Sequence, residues 1–181
     1  GAEIFADNCS HCHGQHHRDG TGLPIFDKPL LIDLDEIGTD RLRATAYDQS
    51  ARDKFRATPF AKHLHESGHE PGYFAPKLWG IWSRFPYLHN GSVSNLADLL
   101  TPADERPDFI DLVDIGERHR FDEERLGATP TPQMEAAQRA ARRDRLVVDT
   151  NRRGFSNAGH NYGTHLSKED KKALIEFLKT L

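Results

Sequence analysis

The chain has 181 residues, a length typical of one domain, and a formal net charge of −4. An acidic balance gives no support to a nucleic-acid partner, and no apolar stretch is long enough to predict a membrane span. Only 36% of the residues are hydrophobic, whereas 29% are charged. Such a chain has little apolar material for a large core, and a bulky apolar cofactor at the centre would ease that shortage.

The chain opens with a predicted helix and a dense cluster of cysteine and histidine. Residues 2–8 indicate a short helix whose apolar contacts are Ile4 and Phe5. The stretch CSHCH, residues 9–13, follows at once and holds both cysteines of the chain. Residues 14–30 are rich in glycine, proline and polar side chains and predict a loop. Because no targeting segment precedes the motif, we expect a processed or excised form of a longer product.

The next part of the chain predicts broken helix and irregular backbone. Residues 33–57 indicate helix in pieces, with an interruption near Gly38. The aromatic and proline residues of segment 70–100 indicate an irregular wrap around something bulky. A short helix is predicted from Ser94 onward.

A charged segment with turn-forming residues follows at about 101–155. We interpret it as an insertion within a single domain that covers residues 1–181. Inside it, residues 132–145 predict a helix with Pro132 at its first position, and LVVDT predicts a short strand.

The end of the chain carries the clearest helix signal. The glycine-rich stretch NRRGFSNAGHNYGT predicts a loop, and Ser167 then stands as an N-cap with Asp170 three residues later. The apolar positions beyond it recur at helical spacing: Leu174, Phe177, Leu178 and Leu181.

Three kinds of site compete for CSHCH. A disulfide between Cys9 and Cys12 would suit a redox protein, although the strand–helix context of such motifs is missing here. A zinc site would draw its further ligands from a nearby histidine cluster, namely His63, His65 and His69. The third possibility is C-x-x-C-H, the attachment site of a c-type haem, with both thiols on the haem vinyl groups and His13 on the iron. One helical turn would place both sulfurs along one porphyrin edge, and haem is the favoured interpretation.

Longer stretches of the chain resemble a known family. The matching stretches are NCSHCHG, LDEIGTDRLRA, GIWSRFPYLHNGSVSNLADLL, ERPDF and SNAGHNYGTHLSKEDKKALIEFLKTL. Together they resemble the cytochrome c domain of the bacterial dihaem cytochrome c peroxidase and rubber-oxygenase group. C-x-x-C-H belongs to every c-type cytochrome, whereas PYLHNGSV is more specific.

The resemblance implies an all-α cytochrome c fold, mainly helix and long loops, around one covalent haem c. The terminal helices would cross, with Ile4 and Phe5 against Phe177 and Leu178. The resemblance also implies export to the periplasm, because bacteria attach this haem outside the cytoplasm. Dihaem members carry two C-x-x-C-H motifs and this chain carries one, so a two-haem mechanism cannot operate within it.

The function of a haem depends on its sixth ligand. His160 is the favoured candidate, because cytochromes supply a distal ligand from the loop before the last helix and the resemblance places a histidine there. His89, in PYLHNGSV, is the second candidate, although a hydrogen bond to a propionate or the backbone suits it better. The remaining alternatives are Met134, another histidine or an open site. We expect Met134 on a surface helix.

Further contacts are expected with the haem propionates and with His13. Trp82 and Arg84 are candidate partners for the propionates. A carbonyl of Pro24 or Pro29 is expected to accept a hydrogen bond from the second ring nitrogen of His13, which would fix the tautomer of that ligand.

These residues favour an electron carrier. A low-spin iron between His13 and His160 would pass electrons to a redox partner protein or to a linked catalytic domain, at a lower potential than a His/Met haem. The alternative is a peroxidase or oxygenase with an open distal site, where His89 would act as the acid–base group. The missing second haem counts against that alternative.

Overall fold

The computed structural model describes residues 1–25, 29–63, 71–111, 121–129, 132–141 and 147–181. Eight α-helices, most of them short, lie in these ranges: α1 (Ala2–Asn8), α2 (Ser10–His13), α3 (Leu34–Ile37), α4 (Leu42–Thr45), α5 (Gln49–Arg56), α6 (Leu96–Leu99), α7 (Gln133–Ala141) and α8 (Lys168–Leu178). Single turns of 3-10 helix occur at Ala61–His63, Ile81–Ser83 and Ala103–Glu105. The same ranges contain six strands: β1 (Leu31–Asp33), β2 (Gly72–Phe74), β3 (Phe109–Asp111), β4 (Phe121–Asp122), β5 (Gly127–Ala128) and β6 (Val147–Asp149).

The prediction of an all-α fold is wrong. The strands form three two-stranded antiparallel sheets, β1 with β2, β3 with β6, and β4 with β5. In the first sheet Leu31 pairs with Phe74, and in the second Phe109 pairs with Asp149. The chain is therefore mixed, with short strand pairs that tie distant loops together between the terminal helices. The strand predicted in LVVDT is present as β6.

Side-chain caps explain where several helices begin. Ser167 accepts a hydrogen bond from the backbone N–H of Asp170 at the start of α8, as the sequence predicts. Asn95 caps α6 in the same way. At the other end of a helix, Gly38 adopts a left-handed conformation with φ +66° and ends α3, at the predicted interruption.

The terminal helices pack against each other, which confirms their predicted contact. Phe5 of α1 is buried, and its ring centre lies 5.3 Å from that of Phe177 of α8. A Cβ at Gly1 would lie 2.2 Å from the backbone oxygen of Ala173, so the two helices approach closely at the start of α1. The buried core around this crossing continues into the middle of the chain and includes Leu78, Ile81, Tyr87, Val93, Leu96, Leu100, Leu126, Leu174, Ile175 and Leu178.

The segment predicted as an insertion contains helix and paired strands in its described parts. β3 and β6 pair inside the range 101–155, and α7 lies between them along the chain. The assignment of this segment as an insertion in one domain of 1–181 stays a prediction. None of the helices in the described part of the chain has the length and apolar character that a bilayer crossing requires.

Candidate functional site

The CSHCH motif forms one helical turn, α2, directly after α1. Cys9 is the N-cap residue, and its carbonyl accepts a hydrogen bond of 3.0 Å from the backbone N–H of His13. Because Cys9 and Cys12 stand three residues apart on this turn, their side chains lie on one side of it. Gly14 then ends the turn with φ +72°. The turn thus has the local form that C-x-x-C-H attachment needs.

The two cysteines are free thiols in an apolar setting. Burial raises the pKa of the Cys9 thiol to about 11, with a smaller contribution from the neighbouring Cys12. Burial also raises the pKa of Cys12. Redox-active and zinc-bound cysteines have the opposite shift, because they act as thiolates. The described residues contain no cluster of three or more metal-binding side chains, and two members of the proposed zinc set, His65 and His69, lie outside the described residues.

His13 is held in one tautomer by a backbone carbonyl. Its Nδ1 lies 2.7 Å from the carbonyl oxygen of Pro76. A carbonyl oxygen only accepts, so Nδ1 carries the hydrogen and the lone pair of Nε2 is left for a metal. The structure gives this role to Pro76, and the prediction of Pro24 or Pro29 is wrong, although the expected kind of contact is present.

The imidazole of His13 is also neutral at physiological pH. Burial lowers the pKa of His13, and the hydrogen bond that it donates to the Pro76 carbonyl acts in the opposite direction. The nearby cations Arg84 and Lys77 also lower this pKa. A metal ligand must be the neutral ring, so this environment favours ligation.

His160 faces His13 across the site. The ring centres of the two imidazoles are 6.3 Å apart, and their planes are tilted by 50°. An imidazole nitrogen binds a transition metal at about 2.0 Å, and the ring centre lies roughly 1.2 Å behind that nitrogen, so two rings that share one metal on opposite sides have centres about 6.4 Å apart. The observed separation therefore fits a metal shared by His13 and His160.

The electrostatic setting of His160 matches that of a ligand. Burial lowers the pKa of His160 to about 4, and the neighbouring His13 contributes to the same shift. Its Nδ1 is buried and has no well-aligned hydrogen-bond partner among the described residues. The ring of Tyr162 packs edge-on against it, with centres 5.4 Å apart. The two facing neutral imidazoles and the two free thiols beside one of them fit a covalently attached haem c.

The loop that carries His160 lies tightly against the segment after α3. The backbone N–H of His160 donates a 2.8 Å hydrogen bond to the carbonyl of Ile37. Gly159 is buried with φ +76°, and a Cβ there would lie 2.3 Å from the carbonyl carbon of Gly38 and 2.4 Å from the nitrogen of Thr39. Only glycine permits this approach, and His160 itself has φ +48°. The His160 side chain is thus presented by a constrained backbone.

Arg106 is the residue of this site that sequence reasoning missed. It is 5% exposed, and its guanidinium donates to five backbone carbonyls. The acceptors and distances are Thr101 at 3.0 Å, Asn157 at 2.6 Å, Gly159 at 2.8 Å, Leu99 at 3.0 Å and His160 at 3.2 Å. A single arginine in the stretch ERPDF carries no periodic or spacing signal, so only the fold reveals these contacts.

The motif PYLHNGSV supports the same loop from another side. Asn90 Nδ2 donates to the carbonyls of Gly154 and Ser156, and the hydroxyl of Ser92 also donates to Ser156. The ring of His89 stacks on Tyr73 with centres 4.0 Å apart. Its Nε2 is buried without a hydrogen-bond partner among the described residues. The structure thus places His89 in a packed stack, and its role as a haem contact stays a prediction.

The remaining predicted residues lie at the surface. Trp82 is 46% exposed, and exposed Arg84 donates a hydrogen bond to the carbonyl of Lys77. The contact of Trp82 and Arg84 with haem propionates stays a prediction. Met134 is 75% exposed on α7, as expected for a surface methionine.

The turn with two thiols, the oriented His13 and the facing His160 define a site of the c-type cytochrome class. Comparison with known families agrees, because residues 72–110 match the family described as RoxA-like, cytochrome c-like. This match confirms the resemblance to the rubber-oxygenase group that the sequence indicates. The matched segment includes Trp82, Arg84, His89 and Arg106. A cytochrome c-like domain implies haem c and indicates haem-based electron transfer.

Two curated relatives align with nearly the whole chain. The uncharacterized protein y4iJ of Sinorhizobium fredii (strain NBRC 101917 / NGR234) is 38% identical over 239 residues, which cover 100% of this chain and 38% of the relative. The uncharacterized protein y4iM of the same strain is 29% identical over 223 residues, which cover 99% of this chain and 47% of the relative. The chain therefore spans less than half the length of these relatives.

Proposed function

We propose that this chain is a monohaem electron-transfer domain with a low-spin, bis-histidine iron. Cys9 and Cys12 hold the haem c covalently, His13 is its first axial ligand and His160 its second. The observation that carries the proposal is the 6.3 Å separation between the two imidazole centres. It equals the spacing of two rings that share one metal, and both rings are neutral.

The bound haem supplies a centre that takes up and releases one electron. His13 and His160 would hold the iron from its two sides, and that would close the centre to small molecules. Pro76 orients His13 from behind, and the His160 loop is fixed by Ile37 and Arg106. These contacts would hold both imidazoles in place while the haem supplies the chemistry of electron transfer to a partner.

We propose further that the domain works in the periplasm and exchanges electrons with a redox partner protein or a linked catalytic domain. Covalent haem attachment through C-x-x-C-H supports an exported location. The linked domain is supported by the relatives, which are more than twice as long as the part that this chain covers. Trp82 and Arg84 are proposed as propionate partners, and the electrostatic effect of Arg84 on His13 supports its place near the haem edge.

The test is the optical spectrum of the reduced holoprotein, made with the haem-attachment machinery present, before and after carbon monoxide is added. The proposal predicts sharp α and β bands that carbon monoxide leaves unchanged. His160→Gly should bind carbon monoxide fully, because glycine keeps the positive φ and removes the ligand. His165, an exposed histidine of the same loop, provides the control, and His165→Gly should behave as wild type.

A further variant distinguishes the two candidate histidines. His89→Phe keeps a flat ring against Tyr73 and removes the nitrogen, so the proposal predicts an unchanged spectrum. Carbon monoxide binding by the wild type would contradict the proposal and would favour a peroxidase or oxygenase with an open distal site. Carbon monoxide binding by His89→Phe alone would assign the sixth position to His89.

A further inference from the structure

Arg106 joins the C-terminal end of α6 to the loop that carries His160. Its Nε and one Nη2 hydrogen reach the carbonyls of Thr101 and Leu99, at the C-terminal end of α6. Its Nη1 hydrogens reach Asn157 and Gly159 of the ligand loop. The last hydrogen reaches the carbonyl of His160 itself.

This arrangement uses every N–H of the guanidinium. Arginine has five donors in a fixed planar fork, and each has a backbone carbonyl here. No carboxylate of the described residues forms an ion pair with Arg106, although the charge of Asp98 lies close enough to act on it. A buried cation without a direct counter-ion is costly, and the dipoles of five carbonyls are what stabilise it. The residue is therefore specialised for holding backbone.

The backbone that Arg106 holds is the backbone that presents the sixth ligand. Three of the four residues 157–160 are held by hydrogen bonds to other parts of the chain: Asn157 to Pro107, Gly159 to Arg106, and His160 to Ile37. His160 has a positive φ, which a non-glycine residue keeps only when its surroundings enforce it. The guanidinium and the segment Ile37–Thr39 enclose the loop between them.

We infer that Arg106 is the positioning residue of the sixth haem ligand: by binding the carbonyls of Asn157, Gly159 and His160, it keeps the His160 imidazole directed at His13. The inference rests on the proposed bis-histidine function. Without the guanidinium, residues 157–160 lose the three hydrogen bonds from Arg106 and keep those of Asn157 to Pro107 and of His160 to Ile37, so the ligand position opens. The hydrogen bonds of Arg106 go to backbone carbonyls and not to the His160 ring, so its effect passes through the loop.

The experiment compares Arg106→Gln, Arg106→Lys and the control Arg125→Gln as holoproteins. Arg125 forms an ion pair with Asp98 of α6, so its loss disturbs the same helix without touching the ligand loop. We expect the fraction that binds carbon monoxide to rise about tenfold or more in Arg106→Gln, the factor that corresponds to losing one charge-assisted hydrogen bond. Arg106→Lys, with three donors and no planar fork, should be intermediate. Arg125→Gln should stay closed to carbon monoxide.

Hydrogen exchange supplies a readout that does not depend on the haem spectrum. The amide of His160 should exchange about tenfold faster in Arg106→Lys than in wild type, whereas amides of α8 should keep their protection. Unchanged ligation in a folded Arg106→Gln, or equal loss of protection in the loop and in α8, would overturn the inference. If the wild type itself binds carbon monoxide, the proposed function fails, and the exchange of the His160 amide still decides whether Arg106 holds the loop.

Discussion

Replacing Gly159 by alanine should open the sixth coordination position. Gly159 has φ +76°, and the added Cβ would lie 2.3 to 2.5 Å from three backbone atoms, the carbonyl carbon and oxygen of Gly38 and the nitrogen of Thr39. Ordinary contact begins at about 3.4 Å, so one of the two segments must move by roughly 1 Å. Neither segment is a flexible side chain, and the adjacent residue is the ligand His160.

Gly163 provides a matched control. It lies in the same loop with φ +74°, but a Cβ there would meet only side-chain atoms, at 3.1 Å from Leu100 and 3.5 Å from Leu166. Both substitutions carry the same left-handed conformational cost of about 1–2 kcal/mol. The forced backbone movement adds about 1–3 kcal/mol at Gly159 alone. We therefore expect a loss of about 2–5 kcal/mol for Gly159→Ala and about 1–2 kcal/mol for Gly163→Ala.

Two assays on the holoproteins decide this prediction. Denaturant unfolding followed by far-UV circular dichroism gives the free energy of unfolding, and carbon monoxide binding reports the sixth position. Gly159→Ala should lose more stability and bind carbon monoxide, whereas Gly163→Ala should stay closed. Equal losses of stability, with an unchanged haem spectrum in both variants, would refute the claim that the Gly38–Gly159 contact positions the ligand.

Three further predictions test separate parts of the structure. Burial, and then His13, lower the pKa of His160 from 6.5 to about 4, so the stability from its neutral buried ring is complete above pH 6.5 and is lost as the pH falls toward 4. A bound iron would compete with the proton for the ring, so an acid titration of the haem spectrum should keep the low-spin form well below pH 6.5. A transition near pH 6.5 would contradict this. Cys12→Ala leaves one thioether, so the haem should stay attached through Cys9 in a denaturing gel. The double variant with Cys9→Ala should lose the haem. Haem retained by the double variant would refute covalent attachment through the motif. Phe5→Ala should lower the free energy of unfolding by about 3–5 kcal/mol in thermal unfolding, because Phe5 fills the helix crossing with Phe177. Phe60 is 71% exposed, so the control Phe60→Ala should change the free energy of unfolding by less than about 0.5 kcal/mol. Similar losses in both variants would contradict the packing.

Local signals made much of the helical structure predictable. The cap at Ser167, the interruption at Gly38 and the helical turn at CSHCH each depend on contacts within about four residues, and each is present. His160 was the favoured candidate ligand because its loop precedes the last helix and resembles a ligand loop, and its role as a ligand stays a prediction. The structure adds the geometry that brings its ring to His13.

Contacts between distant parts of the chain were not predictable in the same way. The strands are two or three residues long, too short for an alternating pattern, and their pairing depends on distant partners such as Phe109 and Asp149. Pro76, whose carbonyl orients His13, lies 63 residues after His13 along the chain. The predicted Pro24 and Pro29 are much closer to His13 in the sequence. Arg106 likewise gains its role only from carbonyls some 50 residues later. Such polar contacts leave no periodicity in the sequence.

The central claim is that His13 and His160 occupy both axial positions of one haem iron. Electron paramagnetic resonance of the ferric wild-type holoprotein at neutral pH tests it most directly. We predict a low-spin signal alone. Cyanide should find no fast-reacting fraction in this ferric sample, and carbon monoxide should find none after the sample is reduced. A dominant high-spin signal would show an open or water-bound sixth position and would contradict the bis-histidine account.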